Sequence, residues 1–168
     1  MGRRAGFRHT LAIVGQPPQD RGFSSTPVPP VIDPSATLEA LCQVDAGTRR
    51  ATYIGPDTWL MKTAHVGHDA WVGGCCELPP GVVICGWAVL GGGNRLGVGA
   101  LVLPYKVLGP GARVGAGSVV THHVPPHEVW AGNPARRLAS SPVYEGDTEW
   151  VDVLVHLADQ GSIRSAAS

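Results

Sequence analysis

Three residues near the middle of the chain have types and spacing suited to proton transfer and to the stabilisation of negative charge. His68 and Asp69 are adjacent, and Gly86 follows His68 by eighteen residues. An imidazole with an ordinary pKa of about 6.5 can accept a proton from a hydroxyl or an amine at neutral pH. A carboxylate can orient such a ring, and a glycine N–H can stabilise an oxyanion. The sequence therefore predicts His68 as a general base, Asp69 as its orienting carboxylate and Gly86 as an oxyanion donor. The alternatives are a surface turn histidine with no role and a glycine that serves only a turn.

A six-residue repeat surrounds these residues and predicts the elements that must position them. Every sixth residue from 54 to 120 is aliphatic, and the residue two positions before it is nearly always small, with Lys106 as the exception. Side chains two positions apart along a strand point to the same side, so both series are expected to face inward. The aliphatic series is Ile54, Leu60, Val66, Val72, Leu78, Ile84, Leu90, Leu96, Val102, Leu108, Val114 and Val120.

Three hexads make one triangular coil of eighteen residues, and successive coils stack about 4.8 Å apart through parallel-strand hydrogen bonds. The fold class predicted is all-β, a parallel β-helix of about five coils in which Gly86 lies one coil beyond His68 at the same corner. An earlier set, Ile32, Leu38 and Val44, keeps the spacing. Ten residues then separate Val44 from Ile54, and they predict a protruding loop at Thr48 to Arg50.

The repeat also divides the chain, whose 168 residues fit one domain. Residues 1–30 are rich in proline and are expected to form an extended arm with one strand at Leu11 to Val14. Residues 31–139 form the predicted β-helix domain. Residues 140–168 form a tail with a short amphipathic helix that ends near Gly161 and covers a coil end or a neighbouring subunit.

Composition excludes several classes of function. Thirteen basic residues balance thirteen acidic ones, so the chain has no strong field to hold nucleic acid. No apolar run is long enough to span a membrane, and the N-terminus lacks a signal peptide, which makes the cytoplasm the expected location. No metal is predicted, because sequential neighbours such as His122, His123 and His127 rarely converge on one ion.

The four cysteines lack the CxxC spacing of a zinc or redox site. They are interpreted as buried thiols. Covalent catalysis through Cys75, Cys76 or Cys85 is not favoured, because Cys76 falls at an inward position and no base is evidently paired with the others. The fourth thiol is Cys42.

Two motifs within the repeat resemble a known family. The His-x-x-His-Asp signature at His65, His68 and Asp69, and the Ala-Gly-Asn-Pro-Ala ending at residues 131–135, are similar to those of the hexapeptide-repeat acyltransferases, especially the UDP-N-acetylglucosamine O-acyltransferase type. The resemblance covers about residues 31–139. It implies a left-handed β-helix and a homotrimer with active sites between subunits.

The resemblance also implies an activity. It predicts transfer of an acyl group from a thioester donor, coenzyme A or acyl carrier protein, to a hydroxyl or amine of a small nucleotide-sugar-like acceptor. The acyl thioester would be a co-substrate, with no tightly bound cofactor. Asn133, Arg136 and Arg137 would meet the phosphates of coenzyme A or the acidic surface of the carrier protein, because arginine pairs bidentately with phosphate. The alternative for these three residues is a charged cap.

Three more residues are implied as substrate-binding. Lys62 and His65 would flank the His68 corner and contact the sugar or its phosphates, although a solvated outer face explains them equally well. Trp87 stands where the O-acyltransferase type tends to have histidine, and Pro104 stands where it tends to have glutamine. Trp87 would close the donor channel and favour a short acyl group, or else pack at a subunit contact.

Two rival functions stay open at the sequence level. The first is a non-catalytic trimeric β-helix that serves as a structural or binding module in a larger assembly, because a fold does not entail its usual activity. The second is a metalloenzyme resembling the carbonic anhydrases built on this fold, which requires several histidines to converge across a trimer interface.

Overall fold

The hexads fold into a parallel β-helix, and its triangular coils stack with the strand spacing of the repeat. The computed structural model describes residues 8–18, 22, 25–140, 142–143, 145–146 and 148–165, with the backbone alone for residues 161–165. The β-helix has about six turns. The predicted left-handed parallel β-helix is confirmed. It has about one turn more than expected.

The strands form three flat faces, and the chain visits them in the order face 1, face 2, face 3. Face 1 contains β1 (Ile13–Gln16), β4 (Gln43–Asp45), β7 (His65–Val66), β10 (Val83–Ile84), β13 (Leu101–Val102) and β16 (Val119–Val120). Face 2 contains β2 (Val31–Ile32), β5 (Tyr53–Ile54), β8 (Trp71–Val72), β11 (Val89–Leu90) and β14 (Val107–Leu108). Face 3 contains β3 (Thr37–Leu38), β6 (Trp59–Leu60), β9 (Glu77–Leu78), β12 (Arg95–Leu96), β15 (Arg113–Val114), β17 (Val129–Gly132) and β18 (Ala135–Arg137).

Strand register follows the eighteen-residue coil. His65 of β7 pairs with Val83 of β10, and Val83 pairs with Leu101 of β13. The whole aliphatic series is buried, with no member more than 4% exposed. Lys106, the exception in the small series, is half-buried instead. The core is therefore a column of aliphatic and small side chains enclosed by the three faces.

The corners between faces share one backbone feature. The third residue after each inward aliphatic residue from Ile54 to Val114 has a positive φ, which lies between 54° and 65° in the non-glycine residues. Asp69 and Trp87 are two of these residues, and both lie on the edge between faces 1 and 2. This left-handed conformation is uncommon outside glycine. It turns the chain sharply enough to close a triangle.

Part of the N-terminal arm belongs to the β-helix. Strand β1 runs parallel to β4 and extends face 1, beginning and ending two residues later than the predicted strand at Leu11 to Val14. Ala12 and Val14 pack against the core. The expected boundary between residues 30 and 31 is therefore not where the β-helix begins. The parts of the predicted extended arm at residues 1–7, 19–21 and 23–24 lie outside the described residues.

The C-terminal helix α1 (Glu149–Ser165) covers face 2 of its own chain. It contacts β11 and β14, where Trp150, Leu154 and Ala158 pack with Val89 and Val107. The helix runs four residues beyond Gly161, where it was expected to end. The expectation that it covers a coil end was wrong, because its apolar side matches the outward apolar residues of face 2.

Candidate active site

His68 and Gly86 stack on the edge between faces 1 and 2, called here the His68 edge (residues 67–70, 85–88 and 103–106). A Cβ atom built on Gly86 would lie 2.6 Å from Nε2 and 2.7 Å from Cε1 of His68. Real Cβ atoms do not approach other atoms so closely. Residue 86 must therefore be glycine for the imidazole to lie where it does, and the predicted stacking of the two residues is present.

Asp69 fixes the orientation of the His68 ring. Nδ1 of His68 lies 2.9 Å from Oδ2 of Asp69, and the Asp69 side chain is fully buried. Because an ionised carboxylate can only accept hydrogen bonds, Nδ1 carries the proton in this pair. Nε2 of the neutral ring is then the unprotonated nitrogen. It faces the Gly86 side of the edge and can act as a base.

The Asp69 carboxylate is surrounded by donors from an insertion loop, residues 46–50. Thr48 donates to Oδ2 through its backbone N–H and its hydroxyl, both at 2.8 Å. The N–H groups of Arg49 and Arg50 donate to Oδ1 at 2.9 and 2.8 Å. Burial alone would raise the pKa of the Asp69 carboxyl, but the hydrogen bonds from these backbone N–H groups and from His68 outweigh burial and lower it. Asp69 is therefore ionised at neutral pH.

The insertion loop is tightly folded. A Cβ atom on Gly47 would lie 1.7 Å from the carbonyl oxygen of Arg50, and Gly47 exchanges two backbone hydrogen bonds of 2.8 Å with Val28. Arg50 is only 5% exposed. The expectation of a protruding loop was therefore wrong, because its backbone N–H groups turn inward onto Asp69. The sequence contained one signal for this contact, because the break in the repeat lies one coil before His68.

The backbone N–H of Gly86 is free to stabilise negative charge. The amides on either side are occupied, because Cys85 donates to the Val102 carbonyl and Trp87 donates to the His68 carbonyl, both at 3.0 Å. The Gly86 N–H has no acceptor within the part of the chain that the structure describes. The next coil has Pro104 at this corner position, which shows that the fold requires no N–H there.

Trp87 forms one aromatic wall beside the site. Its ring stacks on that of Tyr105, one coil further on, with centroids 6.1 Å apart and an interplanar angle of 12°. The guanidinium carbon of Arg50 lies 5.0 Å from the Trp87 ring centroid. Sequence analysis placed Trp87 here but missed Tyr105 and Arg50. The eighteen-residue offset from Trp87 could have found Tyr105.

His65 and Lys62 occupy different places relative to His68. His65 points outward from β7, and its Nε2 lies 3.0 Å from Oδ2 of the buried Asp45. Lys62 is exposed at the corner before β7, between faces 3 and 1, where its N–H donates to Glu39. The structure thus places Lys62 and His68 at opposite ends of β7 rather than at one corner, because residues six apart lie on successive corners.

Asn133, Arg136 and Arg137 lie far from His68 within one chain. They belong to the exposed hairpin of β17 and β18 on face 3, which does not border the His68 edge. Nη1 of Arg136 donates to the Ala135 carbonyl at 2.8 Å. The chain alone therefore does not bring these residues to the His68 imidazole.

The cysteines differ in exposure. Burial raises the pKa values of Cys42 and Cys76 to about 11, and it also raises the pKa of the half-buried Cys85. Cys75 is exposed, so its interpretation as a buried thiol was wrong. Its place at a left-handed corner turns its side chain out of the core, whereas Cys76 occupies the inward small position.

The described residues contain no cluster of three or more histidine, cysteine, aspartate or glutamate side chains that could hold a metal ion. Among the same residues, no helix combines the length and apolar character needed to cross a bilayer.

Known proteins resemble this chain over part of its length. The UDP-N-acetylglucosamine O-acyltransferase of Verminephrobacter eiseniae is 36% identical over 66 residues, covering 38% of this chain and 25% of the relative. That of Burkholderia multivorans is 32% identical over 90 residues, covering 48% and 34%. The chain thus spans no more than about a third of these curated relatives. No protein-family model matches.

Solved structures extend the similarity to most of the chain. The UDP-N-acetylglucosamine O-acyltransferase of Moraxella catarrhalis superposes with a TM-score of 0.77 at 26% identity, covering 79% of this chain and 53% of that one. In sequence and in fold, the chain is similar to the hexapeptide-repeat acyltransferases. It is also similar to a perosamine N-acetyltransferase mutant from Caulobacter crescentus, solved with CoA and GDP-perosamine (TM-score 0.65, 27% identity, 79% and 56% coverage). The predicted resemblance is confirmed.

Proposed function

We propose that this protein transfers an acyl group from a thioester to a hydroxyl or amine of a nucleotide-sugar-like acceptor. The observation that carries the proposal is the stack on the His68 edge: a base nitrogen, its buried carboxylate and a free backbone N–H lie together. The sequence relatives are named for acyl transfer to a UDP-sugar, and one structural neighbour is a sugar N-acetyltransferase.

The proposed reaction is a direct transfer. Nε2 of His68 takes the proton of the acceptor hydroxyl or amine while that atom attacks the thioester carbonyl carbon. The carbonyl oxygen becomes an oxyanion that accepts a hydrogen bond from the Gly86 N–H. When the carbon–sulfur bond breaks, the imidazolium returns the proton to the departing thiolate. Asp69 stabilises the imidazolium in between, because its carboxylate is ionised and close to Nδ1.

Substrate contacts follow from the surroundings of His68. His65 lies beside the edge and is proposed to contact the acceptor, with Lys62 one corner away. Trp87 lies on the edge and is proposed to close the donor channel. Asn133, Arg136 and Arg137 are proposed to bind the donor, coenzyme A or acyl carrier protein, from a neighbouring subunit. A second chain is needed for this, since face 3 does not border the His68 edge in one chain.

A homotrimer supplies that second chain in the proposal. Face 1 presents the half-buried apolar residues Val83, Leu101 and Val119 on its outer surface, whereas α1 packs on face 2. Packing face 1 against a sister chain removes this apolar surface from water. Sedimentation equilibrium should then give three times the 17.5 kDa mass of the chain. A monomer at micromolar concentration would contradict the shared site.

The test of the activity is thiol release from acetyl-CoA and from acyl carrier protein thioesters with a panel of nucleotide sugars. Wild type should release thiol only when an acceptor is present. His68→Ala should lower kcat by about 10²- to 10⁴-fold, the usual contribution of general acid–base catalysis. His122→Ala is the matched control, because His122 is an exposed histidine in the same corner register. No turnover by wild type, or equal turnover by His68→Ala, would favour the structural-module alternative.

A further inference from the structure

We infer that Arg50 is a positioning residue for the His68–Asp69 pair and that it connects this pair to the C-terminal helix. The inference rests on the proposed function, since it assigns Arg50 a role in that reaction. Arg50 belongs to the insertion loop, and its hydrogen bonds, ion pair and ring contact within the described residues are with Asp69, Asp159 and Trp87 rather than with His68 or Gly86. Its effect on the reaction therefore passes through Asp69.

Arg50 holds Asp69 at two points. Its backbone N–H donates to the Asp69 carboxylate at 2.8 Å, and its Nε donates to the Asp69 backbone carbonyl at 2.7 Å. Asp69 itself occupies a left-handed corner, with φ at 58°. An anchored carbonyl fixes the direction in which the Asp69 side chain leaves the backbone. That direction brings Oδ2 to Nδ1 of His68.

The remaining surface of the guanidinium faces two other elements. Nη1 of Arg50 pairs with Oδ1 of Asp159 in α1 at 2.6 Å, and the guanidinium carbon lies 5.0 Å from the Trp87 ring centroid. The Arg50 side chain is only 6% exposed, whereas that of Asp159 is 54% exposed. Arginine suits this position because its planar guanidinium binds several partners in fixed directions, whereas the ammonium group of lysine cannot.

A positioning role differs from a purely structural one in what its loss changes. If Arg50 no longer binds the Asp69 carbonyl, the carboxylate does not hold the Nδ1–H group of His68 in one direction. Nε2 is then no longer oriented toward the acceptor. Misplacement of a catalytic group by about 1 Å can cost about 10²-fold in rate. Acceptor binding through His65 does not require the Arg50–Asp69 contact, because His65 is held by Asp45. We therefore expect kcat to fall while the acceptor KM stays nearly constant.

The test uses Arg50→Gln, Asp69→Asn and the double variant in the full chain. Arg50→Gln should lower kcat at least about tenfold with an acceptor KM within about twofold of wild type. The double variant should be no slower than Asp69→Asn alone, since residues that act through one another are not additive. Arg113→Gln, which removes an exposed arginine on face 3, is the control. The inference would be overturned if the losses in kcat of the two single variants multiplied in the double variant, or if Arg50→Gln kept the wild-type kcat.

A second readout separates this inference from the proposed function. ¹⁵N-histidine NMR reports which His68 nitrogen carries the proton without any need for turnover. Wild type and Arg113→Gln should show the Nδ1–H form, and Arg50→Gln should show a mixture of tautomers. Should Arg50→Gln not fold, Asp159→Asn leaves Arg50 in place and is expected to shift the same signal less. An unchanged His68 signal in the variant that folds refutes the positioning role, whereas an inactive wild type refutes only the reaction.

Discussion

The imidazole of His68 is constrained on both sides of its ring. Asp69 holds Nδ1 from below, and the Cα atom of Gly86 leaves just enough room for Nε2 and Cε1. Both neighbours are found in the sequence by their distance from His68, since Asp69 is the next residue and Gly86 lies eighteen residues, or one coil, later. This is why the core of the candidate site could be predicted without the structure.

Gly86→Ala tests the steric part of this arrangement. Its Cβ would lie 2.6 Å from Nε2, so the imidazole must move, and kcat should fall about 10²-fold. Backbone strain is not expected, because Gly86 is not among the residues with positive φ. Gly99→Ala is the control for a methyl group without a clash, since its Cβ would meet no atom within 4 Å. Its φ of 69° adds backbone strain that lowers stability without reaching the His68 site. Full activity in Gly86→Ala, measured beside its melting temperature, would refute the close contact.

The lowered pKa of Asp69 predicts that the free energy of unfolding depends on pH. Its pKa is lower in the folded protein than the ordinary value of 3.8, so the native state favours the ionised form. This contribution to stability is fully present above about pH 4 and is lost as the pH falls through the native pKa. The difference in unfolding free energy between wild type and Asp69→Asn should therefore narrow between pH 6 and pH 3 in urea titrations. Asparagine tolerates the left-handed corner. A constant difference would show that the carboxylate is not selectively stabilised.

The secondary-structure elements divide into those that repeat and those that do not. Twelve hexads in register fix the strands, because any shift would turn an aliphatic residue outward. Lys62 was misplaced only because residues six apart were assigned to one corner instead of two. The insertion loop carries no periodicity, and its contacts with Asp69 join residues about twenty positions apart. Its fold therefore could not be predicted from the repeat.

Gly47→Ala tests whether the insertion loop supports Asp69. A Cβ atom at 1.7 Å from the Arg50 carbonyl oxygen cannot be accommodated without moving the backbone. The N–H donors of the loop should then withdraw from the carboxylate, lowering kcat and destabilising the protein by about 1 to 3 kcal/mol. Gly117→Ala, at an open corner with φ of 62°, gives the ordinary cost of such a change. The melting temperature and kcat are measured for both glycine variants and compared. If the two variants behave alike, the loop has no special role.

The whole molecule joins parts that are distant in sequence. The ion pair between Arg50 and Asp159 spans 109 residues and ties α1 to the His68 edge. An amphipathic pattern predicts that α1 has an apolar side, but it does not say which surface that side meets. The apolar side of α1 packs on face 2 because Trp71, Val89 and Val107 make the outer surface of that face apolar. Face 1 keeps its outward apolar residues for the proposed sister chain.

The most direct measurement is a crystal structure of the protein with a non-hydrolysable thioester analogue and a nucleotide sugar. We expect the analogue's carbonyl oxygen to lie about 2.7 to 3.1 Å from the Gly86 nitrogen. An acceptor hydroxyl or amine is expected within about 3.2 Å of Nε2 of His68. Binding of both ligands at another edge, with His68 out of reach of either, would contradict the proposed reaction centre.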